Sequence, residues 1–577
     1  MKNLIKKEIE IVIKNLYNKE IFNPELGQRT LFDVSAAGEH ADYASNVAMV
    51  LKDLLVDGPR ETAEKIQEEL SKSNEFNKHV EKTEIAGPGF INFWLKDEIV
   101  WGESQKAEKA PKNKKPRTIV VEYGQENIAK PMSVGHLRSN IIGQSLVNIF
   151  KFLGENVITD NHLGDWGTQF GKLIVAYKKW GEKEKIEKNP ITELNALYVR
   201  FHKEVEEDVS KVCEMEDEAR LEFKKLEDGD EENTKLWEWF KGESLKEFEK
   251  MYKRLGTSFD YMHGEAFYKN DTKTVIDELI TKEIAVKNED SSIMVEFPEA
   301  FSPSPLLIQK SDGATLYATR DLAAIKFYKS EFKPDLVLQC VGSEQGHYFK
   351  QVYNTAQRAG WIIPGEFVHI QNGMVRLPEG KMSTRKGNTV RLENLLDEAE
   401  EKIENILVEK NSSIEGQEKK ELAKILGVGA VKFADLGQNR ESNIVFTWDK
   451  MLSLDGYSAP YLQYTYSRAN SILRKAEGSI KNVEFKEFND VLERKLALKL
   501  SFFMESVKQA SDSFHPHMIA QYLFDLAQLY NKFYQALPVM NAEKKEEKDF
   551  RLVLTQKTTQ ILKTGLSLLG ISVPERM

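Results

Sequence analysis

Three groups of residues in this sequence have the types and spacing for chemistry on phosphates and charged ligands. The first is Ser133-Val134-Gly135-His136, with Lys130 just ahead of it. A short β-branched run, Ile119-Val120-Val121, lies upstream, polar turn residues Gly124 to Asn127 follow, and a helical pattern begins near Pro131. Strand, polar loop and a helix with Gly135 and His136 in its first turn would aim backbone N–H groups and an imidazole at a phosphate. Pro131 suits the helix start, because its missing N–H would have no intrahelical partner there. The second group is GKMSTRKGN, Gly380 to Asn388, whose Lys381 comes 245 residues after His136. Clustered cations on a closing loop suit phosphoryl chemistry. In the third, Tyr317 and Asp321 of DGATLYATRD are four apart, so on a helix a ring and a carboxylate share one wall. Each group has a plainer reading. His136 caps or packs a helix, the basic run is a surface loop, and Asp321 pairs with Arg320 or Lys326.

The elements that must position these residues follow from periodicity. Val134, Leu137, Ile141, Leu146, Ile149 and Leu153 keep one apolar helical face. Strands at 156–159 and 336–341 and a helix after Gly167 continue an α/β pattern, interrupted by a charged, largely helical insertion over about 177–301. His162, Asp165 and Trp166 of NHLGDWG follow a strand, where α/β ligands lie. From 399 onward the pattern is helical, and amphipathic stretches at 521–537 and 555–569 indicate a bundle. At the start, Ile5, Ile9, Val12 and Leu16 share a helical face. Helical stretches at 44–55 and 60–71 follow, then strands at 80–85 and 90–95 about the turn Ala86-Gly87-Pro88-Gly89. The domains expected are 1–102, a lysine-rich linker 103–116, an α/β domain 117–398, a helical connector 399–450 and a helical domain 451–577.

With 577 residues the chain exceeds one core. Its 41% hydrophobic and 30% charged content is that of an ordinary globular protein. No apolar run approaches the roughly 20 residues of a membrane span, and acidic residues interrupt the N-terminal pattern, so neither an anchor nor a signal peptide is expected. Cys213 and Cys340 are the only cysteines, which argues against a disulfide framework and a cysteine zinc site. A cytoplasmic protein is expected. The net charge of −10 is uneven. Residues 201–250 hold 18 acidic and 9 basic side chains, a solvated helix face by our reading, whereas 451–577 holds 14 acidic and 17 basic. Binding of a polyanion by other surfaces is therefore open.

The SVGH segment resembles the H-x-G-H signature of class I aminoacyl-tRNA synthetases, and KMSTR resembles their mobile K-M-S-K-S loop. The flanks NIAKPM, LRSNIIG and NHLGDWGTQFGKLI are similar to arginyl-tRNA synthetases in particular. The resemblance spans the chain. It implies a Rossmann-like parallel-sheet catalytic domain with a helical insertion, an N-terminal α+β domain that meets the tRNA elbow, and a C-terminal α-helical bundle that binds the anticodon. It implies an arginine–tRNA ligase using ATP, with Mg²⁺ arriving on the nucleotide and no metal held by the protein. ATP would be held by Ser133, Gly135, His136, Lys381, Met382 and Arg385, and catalysis would fall to His136, Lys130, Lys381 and Ser383.

The chain departs from the signatures at Ser133, where the family has histidine, and at Thr384, where it has lysine; Lys130 occupies the place of a compensating lysine. A guanidinium wants carboxylates in a planar fork. The resemblance assigns that task to Tyr317, Asp321 and Glu265, with Glu122, Asn127 and Gln345 lining the amino-acid site. Where the family shows S-S-P this chain has Gly124-Gln125-Glu126, so Gln125 stands in for a serine contact. Tyr457, Tyr461, Tyr464 and Arg468 would meet unpaired bases of tRNA-Arg, with about half of these side chains packing the bundle instead. The family's habit is a monomer whose activation step needs tRNA. Two rivals remain: a class I enzyme of other specificity, and a tRNA-binding paralogue without activation, which Ser133 and Thr384 would favour.

Overall fold

The β-branched run after Thr118 forms a central strand of a parallel sheet. The computed structural model describes residues 1–17, 32–38, 40–52, 58–111, 113–207, 209–376, 391–409, 414–476 and 483–577. Strands β1 (Thr118–Glu122), β2 (Asn156–Asp160), β3 (Leu336–Gly342) and β4 (Phe367–Asn372) lie in the order β4-β3-β1-β2, all parallel. Val120 pairs with Val337 on one side and Ile158 on the other. Every residue from Ile119 to Glu122 and from Leu336 to Val341 is buried, the mark of strands covered on both faces. Helix α1 (Val134–Phe152) leads from β1 to β2, helix α2 (Tyr317–Phe327) precedes β3, and helix α3 (Gly346–Arg358) leads from β3 to β4. The chain thus leaves β1 and β3 toward opposite edges, which opens a crevice beyond their carboxyl ends.

Helix α1 is more deeply set than one apolar face requires. A Cβ at Gly143 would lie 2.3 Å from Cγ of Tyr123, so glycine alone allows this approach of helix to strand. Its polar side chains are buried as well, each with a partner. Ser139 Oγ donates to the Cys340 carbonyl (2.7 Å), Ser145 Oγ donates to the Leu568 carbonyl (3.0 Å), and Gln144 Oε1 accepts from the Ser258 amide (3.0 Å). The helix opens with Ser133 as its N-cap, so Pro131 lies ahead of the helix rather than in its first turn.

The insertion after β2 is helical at Lys183–Lys188, Pro190–Glu207, Val209–Glu227, Glu231–Leu255 and Thr272–Thr281. It also holds an antiparallel sheet of Ala285–Lys287, Ile293–Val295 and Leu306–Gln309, which the largely helical expectation missed. Strands of three or four residues are too short to display an alternation. Ile293, Val295 and Ile308 pack with Leu322, Ile325 and Val337 in one apolar cluster, so this sheet braces α2 and β3.

The described residues group into two compact units. One combines Met1–Lys109, Ile472–Met504 and Gln528–Ile561; the other combines Ala110–Ser471, Glu505–Ala527 and Leu562–Met577. In the first, helix Lys2–Tyr17 buries Ile5, Ile9 and Val12, and an antiparallel sheet runs Val34–Ala36, Tyr43–Ser45, Phe90–Leu95, Val80–Ala86. The helix expected over 44–55 is instead strand Tyr43–Ser45 followed by a short helix, Val47–Val50. Pairing of Ser45 with Val34 and Ile91 overrides the local helical pattern. Helix Val491–Ser501 delivers Arg494 to Asp42 as a bidentate pair (2.9 and 2.8 Å), and its Nε donates to Asp97 (2.6 Å). Helix Asp97–Ser104 runs into the segment expected as linker. No helix among the described residues is long and apolar enough to cross a membrane.

Candidate active site

The end of β1 turns sharply at Gly124 (φ +97°) and Gln125 (φ +63°). A Cβ on Gly124 would fall 2.7 Å from the Asn161 side chain, so the turn requires glycine in both conformation and space. Asn161 Oδ1 accepts from the Gln125 amide (2.8 Å), and Gln125 Nε2 donates back to Glu122 Oε1 (2.8 Å). The following residue, Glu126, is buried and accepts from Asn140 Nδ2 (2.7 Å), Asn161 Nδ2 (3.0 Å) and Tyr252 Oη (2.6 Å). Three donors satisfy a carboxylate that would otherwise be costly to bury. They pin the loop to α1, to the end of β2 and to helix Glu231–Leu255 at once. Ser139 closes the frame: its Oγ accepts from the Gly124 amide (3.1 Å) while donating to β3.

On that frame stands His136. The Ser133 backbone N–H donates to His136 Nδ1 (2.9 Å), and Ser133 Oγ lies 3.0 Å from the same nitrogen. An amide N–H can only donate, so Nδ1 accepts and the ring hydrogen resides on Nε2. Burial pushes the imidazole below its ordinary pKa, with the Glu126 charge opposing in part. His136 is therefore a neutral Nε2–H donor near pH 7.

A cavity of about 600 Å³ opens beyond β1 and β3. It brings Ser133, Gly135, His136 and Asn127 together with Gln345 across the crevice; Gln125 and Arg138 also line it. The size suits a nucleotide. Arg138 is buried and holds the wall: its Nη1 donates to the carbonyls of Gly373 (2.8 Å) and Ser442 (2.7 Å), and its Nε donates to Asp435 Oδ1 (3.1 Å). Burial raises Asp435 to about 6 even against the Arg138 charge.

A second, more acidic group of side chains gathers around the end of β1. Buried Glu122 accepts from Gln125, from Gln339 Nε2 (3.0 Å) and from Tyr328 Oη (3.0 Å), and burial raises its pKa. On α2, Asp321 accepts from Tyr348 Oη, and His162 Nε2 stands 3.4 Å from its other oxygen. Tyr348 also carries the ring of Tyr317 at 5.0 Å, so it couples the two side chains that the four-residue spacing placed on one face. Tyr317 is itself exposed. Glu265 opens a short 3₁₀ turn, Glu265–Tyr268, held by Asp165, whose Oδ1 accepts from the Ala266 amide (2.8 Å). Both guanidinium bonds from Arg320 (2.8 and 2.7 Å) land on Glu265 Oε2.

Two other groups differ in setting. The Lys130 ammonium lies 4.9 Å over the Tyr198 ring rather than on the cavity lining, and burial lowers its pKa. Lys381, Met382, Ser383 and Arg385 lie outside the described residues. Just ahead of helix Ala459–Lys475, Tyr457 packs between Phe433 and Phe524 with its hydroxyl on the Gly437 carbonyl, and on the helix Tyr461 packs on Phe524. Tyr464 is partly exposed, with the Arg468 guanidinium 4.6 Å over its ring. Sequence reasoning missed Glu126, Arg138 and Tyr348 as parts of the site. Tyr348 had a signal, lying one helical turn from Gln345; the other two act through partners far along the chain.

A family model described as tRNA synthetases class I (R), catalytic domain, matches residues 99–448. The parallel sheet, its switch-point cavity and the His136 helix start are thus those of a class I aminoacyl-tRNA synthetase. Models of the DALR anticodon binding domain and of the arginyl tRNA synthetase N terminal domain match residues 462–577 and 2–95. The chain belongs to the arginyl-tRNA synthetase family. It is 42% identical over 574 residues to the arginine–tRNA ligase of Fusobacterium nucleatum subsp. nucleatum, covering 98% of this chain and 97% of that protein. It is 40% identical over 582 residues to that of Clostridium perfringens, covering 99% and 100%. Among solved structures, arginyl-tRNA synthetase from Plasmodium falciparum superposes with a TM-score of 0.82 at 26% identity, covering 100% of this chain and 99% of that one. The Thermus thermophilus enzyme gives the same TM-score of 0.82 at 24% identity, covering all of both chains, a likeness of fold.

Proposed function

We infer that this chain activates L-arginine with ATP and passes the arginyl group to the 3′-terminal ribose of tRNA-Arg. The observation that carries the reading is the meeting, at one strand end, of a neutral Nε2–H donor at a nucleotide-sized cavity with three carboxylates suited to a guanidinium. The arginine carboxylate attacks the α-phosphorus and the bond to pyrophosphate breaks; a ribose hydroxyl then attacks the arginyl carbonyl and AMP leaves. No protein nucleophile is needed, so catalysis is positioning and electrostatics. His136, Ser133 and Gly135 hold ATP phosphates, joined by Lys381, Met382, Ser383, Arg385 and Lys130. Asp321, Tyr317 and Glu265 select the side chain; Glu122, Asn127 and Gln345 line the amino-acid site.

Glu344 is the one carboxylate among the described residues lining the cavity, and no group of three or more metal-ligating side chains occurs among them. That donor set fits Mg²⁺ carried by the triphosphate and touched by a single protein carboxylate; bound there, it would neutralise phosphate charge. Residues 1–102 meet the tRNA elbow, the catalytic domain 117–398 and connector 399–450 take the acceptor end, and 451–577 takes the anticodon, Tyr464 and Arg468 more than Tyr457 and Tyr461. The enzyme works as a cytoplasmic monomer.

The test is transfer of radiolabelled arginine to total tRNA, run beside arginine-dependent ATP–pyrophosphate exchange with and without tRNA. Charging with tRNA-dependent exchange supports the reading. ATP binding without charging would transfer the assignment to a tRNA-binding paralogue, and Ser133→His would then be the first restoration.

A further inference from the structure

The acidic group around the end of β1 contains more negative charge than fixed positive charge. Four carboxylates belong to it: Glu122 from β1, Asp160 from the end of β2, Glu265 from its 3₁₀ turn and Asp321 from α2. Glu265 has the Arg320 guanidinium. Asp160 has the His263 ring (2.9 Å), the His263 amide (3.0 Å) and the Tyr328 hydroxyl (3.0 Å). Glu122 has only neutral donors, Gln125, Gln339 and the shared Tyr328 hydroxyl. Asp321 has the Tyr348 hydroxyl from α3 and the imidazole of His162. His162 is nearly buried, packs on the Tyr268 ring at 5.5 Å, and makes its closest polar approach to Asp321. Neither of its ring nitrogens has a well-aligned hydrogen-bond partner among the described residues. An imidazole in that position is not a structural linchpin. It is a titratable charge set beside two carboxylates that lack a cation.

We propose that His162 is the resident counter-ion of the amino-acid pocket: it carries a proton opposite Asp321 and Glu122 when no guanidinium is bound, and releases that proton to solvent when one binds. The inference rests on the reading of this pocket as the arginine site. Burial works against the imidazolium, but Asp321 beside it, with the fields of Glu122 and Glu265, outweighs burial and raises His162 to about 10. A guanidinium is a permanent cation. Once it lies between the same carboxylates, it neutralises the charge that held the proton and repels the imidazolium, so the proton leaves. The net charge of the pocket is the same before and after. Selection follows from this exchange: a neutral ureido side chain of the same outline cannot discharge His162 and must compete with an ion pair that stays in place. His162 is thereby a specificity-determining residue, acting through charge exchange rather than through a bond to the substrate.

Calorimetric titration of the full-length protein with L-arginine at pH 7.5, in two buffers of different ionisation enthalpy, counts the protons exchanged. Close to one proton released per arginine is expected, with the arginine Kd tightening by up to about tenfold from pH 6.5 to 7.5. Arginine binding without proton exchange and without that pH dependence would overturn the proposal while leaving the arginine reading intact. Failure of arginine to bind at all would overturn both. His162→Gln should bind arginine with no proton release and a flat pH response; one proton still released would assign the exchange to another group and refute the proposal. If that variant does not fold, imidazole NMR of the unmutated protein supplies the same readout. One histidine should remain protonated at pH 8 and become neutral on addition of arginine, but not on addition of the ureido analogue.

Discussion

The two halves of the site, a few residues apart at the end of β1, are built on opposite electrostatic plans. Among the described residues, the half proposed for the nucleotide presents neutral donors: a histidine held uncharged by burial and by a backbone N–H, at a helix start. The half proposed for the amino acid gathers buried carboxylates and balances them with Arg320, His162 and tyrosine hydroxyls. A guanidinium must be distinguished from neutral side chains, and only fixed negative charge does that. Substitutions in the two halves should therefore fail differently.

The largest effect is expected at Asp321. Asp321→Asn removes charge while keeping shape, and arginine kcat/KM should fall ~10²–10³-fold, as for loss of one partner of a buried charge pair; ATP affinity should stay unchanged. A fall in both would break the division between the halves. Glu126→Ala should lower stability by about 3 kcal/mol in urea unfolding, because Asn140, Asn161 and Tyr252 are left with buried donors unmet. It should weaken both halves, since the loop carries both. Tyr464→Ala should raise KM for tRNA by roughly tenfold, the worth of one stacked base, with KM for arginine and ATP unmoved.

His162 sharpens the comparison through pH. Its pKa in the folded protein, about 10, exceeds the ordinary 6.5. The stability it confers is complete below pH 6.5 and fades as pH rises from 6.5 to 10. His162→Gln should flatten thermal stability over that window when no arginine is present. The smallest effect is expected at Ser133: because the backbone N–H sets the His136 tautomer, Ser133→Ala should change kcat by less than about fivefold, for loss of one shared neutral hydrogen bond.

How much of this was legible depended on the range of the interactions. Gly135, His136 and the helix they open are written in consecutive residues, as is the β1 strand, because strand and helix periods are local. The helix start was misjudged by three residues, since Ser133 caps where Pro131 seemed to begin. Tyr317 and Asp321 were visible as a pair, but the Tyr348 hydroxyl that joins them comes from another helix. Glu126 gave no signal: its partner Tyr252 is 126 residues away, and a glutamate in a polar loop ordinarily faces water. The segment 44–55 misled because strand pairing with Val34 and Ile91 decided its form.

The membership of the first compact unit also dictates when it can exist. Asp42 finds Arg494 only after 452 further residues, and Trp101 stacks on Phe550 (4.5 Å). At a synthesis rate of roughly 5–20 residues per second, the N-terminal segment waits about 20–90 seconds for the helices that complete it. Through that interval Asp42, Asp97 and Trp101 lack the partners that Arg494 and Phe550 later supply, while the strands of the parallel sheet, all made by Asn372, already have their partners. Both units are therefore closed by the last quarter of the chain, since α1 of the parallel-sheet unit also awaits the Leu568 carbonyl. A nascent chain halted short of Ile472 would expose the Asp42 carboxylate and the Trp101 ring, a natural target for chaperones.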